Sequence, residues 1–192
     1  MCTYKKIVTT DLAVIETIQR PADGSGHLDM DSRALDMFTD FEQRQPLMLE
    51  ASVGIADAEY LMKKAHVHLM LVISKEESFR GVVSLADLVS VKVTKAMAAT
   101  GLKRGELTVG DVMTQKSDMH AIEFKEFSHA KIRDLVSTME DLGENHLLIV
   151  DSANKSVRGI VSASDIARRL HVSVHISERA KTFSDIYNAV HP

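Results

Sequence analysis

The 192-residue sequence contains a single cysteine and no tryptophan, and other features that it lacks exclude several classes of protein. Cys2 has no partner for an intramolecular disulfide, which favours a reducing compartment, and a structural zinc site lacks its usual cysteine ligands. No apolar run approaches the roughly 18 residues of a membrane span. The net charge of −4 shows no basic excess, which disfavours a nucleic-acid partner. We therefore expect a cytoplasmic protein that binds no metal, membrane or nucleic acid.

Motifs of the common enzyme classes are also missing. The sequence has no nucleophile elbow, no G-x-x-x-x-G-K-[ST] phosphate loop, no H-E-x-x-H and no G-x-G-x-x-G. Cys2 lies at the chain end without a defined helix beside it, so a catalytic thiol is disfavoured. We predict that the protein is not an enzyme.

What the sequence does contain is an internal repeat. Residues 68–88 (HLMLVISKEESFRGVVSLADL) match residues 146–166 (HLLIVDSANKSVRGIVSASDI) at ten of 21 positions, without a gap and at a constant offset of 78. Such a repeat is one supersecondary unit used twice, and two copies usually bury their hydrophobic faces against each other. The matched positions include His68/His146, Gly81/Gly159, Ser84/Ser162 and Asp87/Asp165.

The pattern around each copy predicts the order β-α-β-β-α. The continuous apolar run at 69–73 is typical of a strand covered on both faces. A helix is predicted over 52–65, with Val53, Ala56, Tyr60 and Leu61 towards the core, and another from Ser84 to Gly101. We predict four parts: an N-terminal strand segment and linker (1–33), two repeat domains (34–101 and 102–170) and a C-terminal helix (171–192).

Each half resembles a CBS domain, the module named after cystathionine β-synthase. The resemblance rests on GVVSLAD at 81–87, GIVSASD at 159–165 and the D-h-[MF]-T segments that precede the first strand of each half. It implies an α/β fold in which two β-α-β-β-α domains pack through their sheets with pseudo-twofold symmetry. It further implies two clefts for adenosyl ligands such as AMP, ADP, ATP or S-adenosylmethionine.

The resemblance also implies roles for individual residues. Asp87 and Asp165 would accept hydrogen bonds from ribose hydroxyls, and Ser84 and Ser162 would contact phosphate. The remaining candidates would line the clefts, and they are Thr39, Thr114, His68, His146, Gly81 and Gly159. The second copy is the stronger candidate for a working site.

Each of these residues also has a structural interpretation. The S-x-x-D spacing is equally that of a helix capping box, which would explain both serine–aspartate pairs without a ligand. Gly81 and Gly159 allow close approach of a ligand, or relieve crowding at a bend. Each repeated histidine would contact the ligand, or would be partly buried at a strand end.

A mild basic stretch near the linker comprises Lys92, Lys95, Lys103 and Arg104. It is an exposed helix face, or it steers phosphate into a neighbouring cleft. Our prediction for the whole chain is a homodimeric, non-catalytic ligand sensor that signals occupancy to a regulated partner protein. The alternatives are a ligand-free scaffold and, less favoured, a small nucleotide-modifying enzyme.

Overall fold

The computed structural model describes residues 28–171. The strands predicted within 4–20 and the amphipathic helix predicted around Phe183 lie outside the described residues. Within them the chain forms two similar halves and two four-stranded sheets, and each sheet takes three strands from one half and one strand from the other.

The first half follows the predicted order of strands and helices. Short 3-10 turns at Ala34–Met37 and Asp87–Val89 accompany its regular elements. These elements are β1 (Thr39–Asp40), β2 (Met48–Glu50), α1 (Ile55–Lys64), β3 (Leu69–Ile73), β4 (Phe79–Ser84) and α2 (Val91–Thr100).

The second half repeats this order, with 3-10 turns at Arg104–Glu106 and Lys116–Asp118. Its helix between the parallel strands is split in two. The elements are α3 (Val109–Val112), β5 (Thr114–Gln115), β6 (Ala121–Glu123), α4 (Phe124–Phe127), α5 (Ile132–Leu142), β7 (His146–Asp151), β8 (Ser156–Ser162) and α6 (Ala163–Leu170).

The two halves exchange their leading strands. The sheet of the first half has the order β2-β3-β4-β5, and that of the second half has the order β1-β8-β7-β6. Strand β1 therefore pairs with β8, with Asp40 opposite Gly159, and β5 pairs with β4, with Gln115 opposite Gly81. The exchange is reciprocal and uses equivalent positions of the repeat, as pseudo-twofold symmetry requires.

The hydrophobic core has three parts, and the exchange extends to it. Ala34 and Met37 pack into the core of the second half, while Val109 and Val112 pack into the core of the first. A third cluster, centred on Leu71, Val82 and Leu148, includes residues of both sheets. The domain boundaries at 34–101 and 102–170 stay a prediction. The structure shows in addition that each half contributes a segment to the core of the other.

The predicted core face of the first helix was wrong at Ala56, Tyr60 and Leu61, which are exposed. Val53 does pack against the core, but it precedes the helix. The buried residues of α1 are Ile55, Ala58 and Met62. The helix begins at Ile55, three residues later than predicted, and its buried residues follow the i, i+3, i+7 spacing from there. Because Tyr60 and Leu61 are apolar, composition alone pointed to the opposite face.

The helix predicted from Ser84 to Gly101 is interrupted. A 3-10 turn at Asp87–Val89 is followed by Ser90, which has extended backbone and caps α2 by accepting a hydrogen bond from the Lys92 amide at 3.2 Å. The predicted stop at Gly101 is confirmed, since this residue has a φ of 73° and closes α2 in the left-handed region. None of the helices in the part of the chain that the structure describes is long and apolar enough to cross a membrane.

Candidate functional site

The strand exchange determines which predicted site residues meet. Thr39 precedes the second half in the sequence but lies with Asp165 at one cleft, because β1 joins the second sheet. Thr114 lies near Asp87, and one lysine contacts both side chains. We call the first place the Thr39–Asp165 cleft, and we call the second the Thr114–Asp87 cleft because it occupies the equivalent position of the repeat. The predicted residues thus form two threonine–aspartate pairs, each built from both halves.

The Thr39–Asp165 cleft has a volume of about 500 Å³. Its wall combines the start of α6 with the segment that leads into β1 and the turn that follows it. The lining residues are Arg33, Leu35, Asp36, Met37, Phe38, Thr39, Asp40, Gln43, Arg44, Phe124, Asp165, Arg168 and Arg169. Four arginines and three aspartates among them make the cleft strongly polar.

The arginines of this cleft are held loosely. Arg168 pairs with Asp165 at 2.5 Å, and 76% of its side chain is exposed. Arg33 lies 3.4 Å from Asp36, and Arg169 donates to the Asp36 carbonyl oxygen. Exposed pairs of this kind contribute little to stability, so a ligand can replace them at small cost.

In the second half, Ser162 and Asp165 are not joined as a capping box. Ser162 makes no cap hydrogen bond, and its Oγ lies 2.7 Å from Ser164 Oγ. Asp165 accepts from Arg168, and 41% of its side chain is exposed. A carboxylate has more acceptor positions than one arginine contact uses, so Asp165 can accept further hydrogen bonds.

In the first half, the same residue types do form the reciprocal capping pair. The Ser84 amide and hydroxyl both donate to Asp87 Oδ2 at 2.8 Å, and the Asp87 amide donates to Ser84 Oγ at 3.1 Å. Only 14% of the Asp87 side chain is exposed. The structural interpretation therefore describes the first copy well and the second copy poorly.

A lysine completes the Thr114–Asp87 cleft. Lys92 Nζ lies 2.6 Å from Asp87 Oδ1 and donates to Thr114 Oγ1 at 2.7 Å. Its neighbour in the predicted basic stretch, Lys95, is exposed on α2, and Arg104 lies 3.6 Å from Glu59. The sequence left open whether Lys92 lies on an exposed helix face or near a cleft, and it did not identify Asp87 and Thr114 as its partners.

The repeated glycines lie where the exchanged strands cross. A Cβ at Gly81 would overlap the Thr114 carbonyl oxygen, and a Cβ at Gly159 would overlap both the Thr39 carbonyl oxygen and the Phe38 ring. Both glycines therefore permit a close backbone approach, but the approaching group is the crossing strand of the other half. Their contribution to the clefts is to let Thr39 and Thr114 reach them.

The repeated histidines differ in environment. His146 begins β7 opposite Ser162 and is partly buried, whereas His68 precedes β3 and is exposed. Burial lowers the pKa of His146 below its usual value, while the charge of Asp165 acts in the opposite direction. At neutral pH His146 is therefore an uncharged group near Asp165.

An ion pair that the sequence did not reveal holds β1 in place. Arg158 donates from Nε and Nη2 to the two oxygens of Asp40, each at 3.0 Å, and its Nη1 lies 2.6 Å from Glu42 Oε1. The guanidinium also lies 4.8 Å from the Phe124 ring centroid. The hydrogen bonds from Arg158 hold the pKa of Asp40 below its usual value. Arg158 and Asp40 are 118 positions apart in the sequence. Their ion pair could therefore be predicted only from the knowledge that β1 and β8 are neighbours in one sheet.

The cleft arginines were missed as well. Arg33 and Arg44 lie outside the repeat, while Arg168 and Arg169 belong to an ordinary helix terminus, so neither spacing nor motif marked them. Within residues 28–171, no group of three or more His, Cys, Asp or Glu side chains is arranged to hold a metal ion.

Comparison with solved structures shows the same fold in other proteins. An uncharacterized conserved protein from Pyrococcus horikoshii is 18% identical, with a TM-score of 0.55 over 77% of this chain and 98% of that chain. CBSX2 of Arabidopsis thaliana, in a crystal structure with AMP, is 21% identical, with a TM-score of 0.52 over 71% of this chain and 94% of that chain. No curated protein matches the sequence significantly.

The family model for the CBS domain matches two stretches, residues 39–93 and 109–172. These stretches contain both copies of the repeat, and together they cover more than half of the sequence. They also contain the two exchanged strands and both S-x-x-D units. The chain therefore belongs to the CBS domain family, as a tandem pair of CBS domains.

Proposed function

We propose that this chain is a non-catalytic regulatory module that binds an adenine nucleotide in the Thr39–Asp165 cleft. The observation that carries the proposal is the meeting of Thr39 and Asp165, from opposite ends of the described chain, in one arginine-rich cleft. Similarity to a CBS protein solved with AMP supports the ligand class.

The cleft offers a partner for each part of such a ligand. The exposed Asp165 carboxylate can accept hydrogen bonds from two vicinal ribose hydroxyls. The hydroxyls of Ser162 and Thr39 lie at the start of α6 and on β1, and the positive end of the α6 dipole favours an anion there. Arginine side chains can then bind phosphate oxygens through charge-assisted hydrogen bonds.

The charges favour nucleotides over S-adenosylmethionine. Four arginines line the cleft against three aspartates, and one of these, Asp40, is already paired with Arg158 outside the lining. The guanidinium of Arg44 makes no hydrogen bond or ion pair with any residue from 28 to 171. An anionic AMP, ADP or ATP gains from this balance, whereas the sulfonium cation of S-adenosylmethionine does not. Affinity should therefore increase with the number of phosphates.

Regulation would occur by a shift between conformations. A nucleotide in the cleft contacts both halves, so it stabilises the arrangement that it fits best, and it biases a partner only by that difference in affinity.

We also propose a homodimer in the cytoplasm. Exposed apolar residues on α1, on the Asp87–Val89 turn and at the start of α2 support an association surface, namely Tyr60, Leu61, Val89 and Val91.

Thermal unfolding with AMP, ADP, ATP and S-adenosylmethionine tests the proposal. At a hundredfold excess over its dissociation constant, a ligand should stabilise the wild type by about 2.7 kcal/mol. Asp165→Ala should lose this stabilisation. Asp111→Ala is the matched control, because Asp111 caps α3 through Thr108 away from the cleft, and this variant should keep the ligand effect despite losing about 1 kcal/mol of stability.

Two other functions remain as alternatives. A ligand-free scaffold is favoured by the Ser84–Asp87 capping pair, and it would be supported if no ligand stabilised the wild type. A nucleotide-modifying enzyme would be supported if ATP were converted to product during incubation with the protein. Product analysis by chromatography separates that case from binding.

A further inference from the structure

The aspartate of each cleft is paired with a cation, Arg168 at Asp165 and Lys92 at Asp87, but the two pairs differ in exposure and in their further contacts. We infer that Lys92 is a specificity-determining residue whose ammonium group takes the ligand's place on Asp87 and Thr114. The inference rests on the proposed function and adds to it that the wild-type chain binds one nucleotide rather than two.

Lys92 uses the groups that a ribose would need. Its Nζ lies 2.6 Å from Asp87 Oδ1 and 2.7 Å from Thr114 Oγ1, so it bridges the two halves. The other oxygen, Oδ2, accepts from the Ser84 amide and hydroxyl. Both oxygens of Asp87 thus have partners from within the chain, whereas among residues 28–171 the carboxylate of Asp165 contacts only the exposed Arg168.

The local sequence explains why Lys92 reaches this position. Ser90 interrupts the helix after the Asp87–Val89 turn, accepts from the Lys92 amide and donates to the Asp87 carbonyl oxygen at 3.1 Å. The chain therefore restarts at α2 with Lys92 in its first turn, beside Asp87. In the second copy α6 continues without this break, and the residue 78 positions after Lys92 is Leu170, which is buried in the core.

Burial separates the two aspartates further. The Asp87 side chain is 14% exposed and that of Asp165 is 41% exposed. A charge that has lost most of its water depends on its partner, so a ligand must replace Lys92 fully before it gains anything at Asp87. At Asp165 the ligand replaces an exposed pair, which interacts weakly. At the Thr114–Asp87 cleft, Asp87 therefore favours pairing with Lys92 of the same chain over binding a ligand.

Calorimetric titration with ATP and AMP can count the sites. The wild type should bind one nucleotide per chain, Asp165→Ala none and Lys92→Ala two. The double variant Lys92→Ala/Asp165→Ala should bind one, at the Thr114–Asp87 cleft. Lys95→Ala, on the exposed face of the same helix, and Lys92→Arg, which keeps the charge, should both resemble the wild type.

The possible outcomes separate this inference from the proposed function. A Lys92→Ala protein that is folded by circular dichroism and still binds one nucleotide would overturn the inference alone. So would a wild type that binds two and a Lys92→Ala variant with a weakened second site, since Lys92 would then be a phosphate ligand. If no variant binds either nucleotide, the proposed function itself fails, and the inference fails with it.

Discussion

The Thr39–Asp165 and Thr114–Asp87 clefts have the same arrangement of strands but different side chains around the aspartate. Both combine an exchanged strand with an S-x-x-D unit, and both use the same strand register. In one, the aspartate is exposed among arginines; in the other, it is held by Ser84 and Lys92. Duplication thus preserved the strand pairing of the site while the surrounding side chains came to differ, and on our proposal this difference decides what each copy binds.

The capping pair shows why the repeated motif is ambiguous. Ser84 and Asp87 form the reciprocal hydrogen bonds of a cap, yet Ser162 and Asp165 at identical spacing do not. The motif specifies a strand followed by a turn. The residues around it determine whether the aspartate accepts hydrogen bonds from the serine of the motif or remains accessible.

The largest expected effect on stability comes from Gly159→Ala, which would disrupt the pairing of β1 with β8. The added Cβ overlaps the Thr39 carbonyl oxygen and the Phe38 ring, so β1 can no longer dock against β8. We expect a loss of about 3 kcal/mol in the free energy of unfolding, as for severe overpacking. Urea denaturation would measure it. Gly105→Ala is the control, because nothing lies within 4 Å of its added Cβ, and equal stability of the two variants would contradict this account.

Gly81→Ala sharpens the same comparison in the other half. Its Cβ would overlap the Thr114 carbonyl oxygen but no aromatic ring, since the nearest atoms are all backbone. We expect destabilisation of about 2 kcal/mol, somewhat less than for Gly159→Ala. The reverse order in urea denaturation would show that the Phe38 contact is unimportant.

A smaller effect is expected from Asp40→Asn, which acts on the second sheet alone. The substitution weakens the two hydrogen bonds from Arg158 that hold β1, and we expect a loss of about 1 kcal/mol at pH 7. Gln115→Ala is the matched control, because Gln115 occupies the equivalent position on β5 and is exposed. It should change stability little.

The same pair gives a pH dependence of known sign. The hydrogen bonds from Arg158 lower the pKa of Asp40 in the folded state. The stability that this pair contributes is therefore fully present above the unfolded-state pKa of about 3.9, and it is lost as the pH falls through the folded-state pKa. Below that range Asp40→Asn should approach the wild type in stability. A difference that stays constant from pH 6 to pH 2.5 would contradict the ion-pair explanation.

The smallest effect should distinguish the repeated histidines. Burial lowers the folded pKa of His146, so the unfolded state binds protons more readily once pH falls below about 6.5, and stability decreases there. Asp165 and Glu144 oppose this shift, and His68 adds to it. His146→Gln should reduce the stability loss between pH 7.5 and 5.5, measured by urea denaturation. His68→Gln removes only the contribution of His68 to the His146 shift and should reduce the stability loss less.

Much of the fold could be predicted because it depends on local patterns. The apolar run of β3 and the glycine that ends α2 are signals contained within a few consecutive residues. The repeat in addition predicted the order of elements. The core face of α1 could not be read correctly, because Tyr60 and Leu61 are apolar yet exposed. Packing between elements, which local sequence does not specify, decided that face.

The sequence indicated the motif residues of the candidate site but not the charged residues around them. The repeat identified Asp87 and Asp165 as equivalent, but Lys92 and Arg168 reach them through the helix break at Ser90 and the continuous α6. Likewise, the exchange of β1 and β5 brings Thr39 to the second half through pairings distant in sequence. Such contacts follow only from the three-dimensional arrangement.

The most direct test of the difference between the clefts is the amide NMR spectrum of the wild type during titration with AMP. We predict that the amides of Thr39, Ser162 and Asp165 shift first and saturate together. The amides of Ser84, Asp87 and Thr114 should stay near their starting positions over the same range. Equal shifts in both groups, or shifts confined to the second group, would contradict the central claim that the clefts are unequal and that Thr39–Asp165 is the binding site.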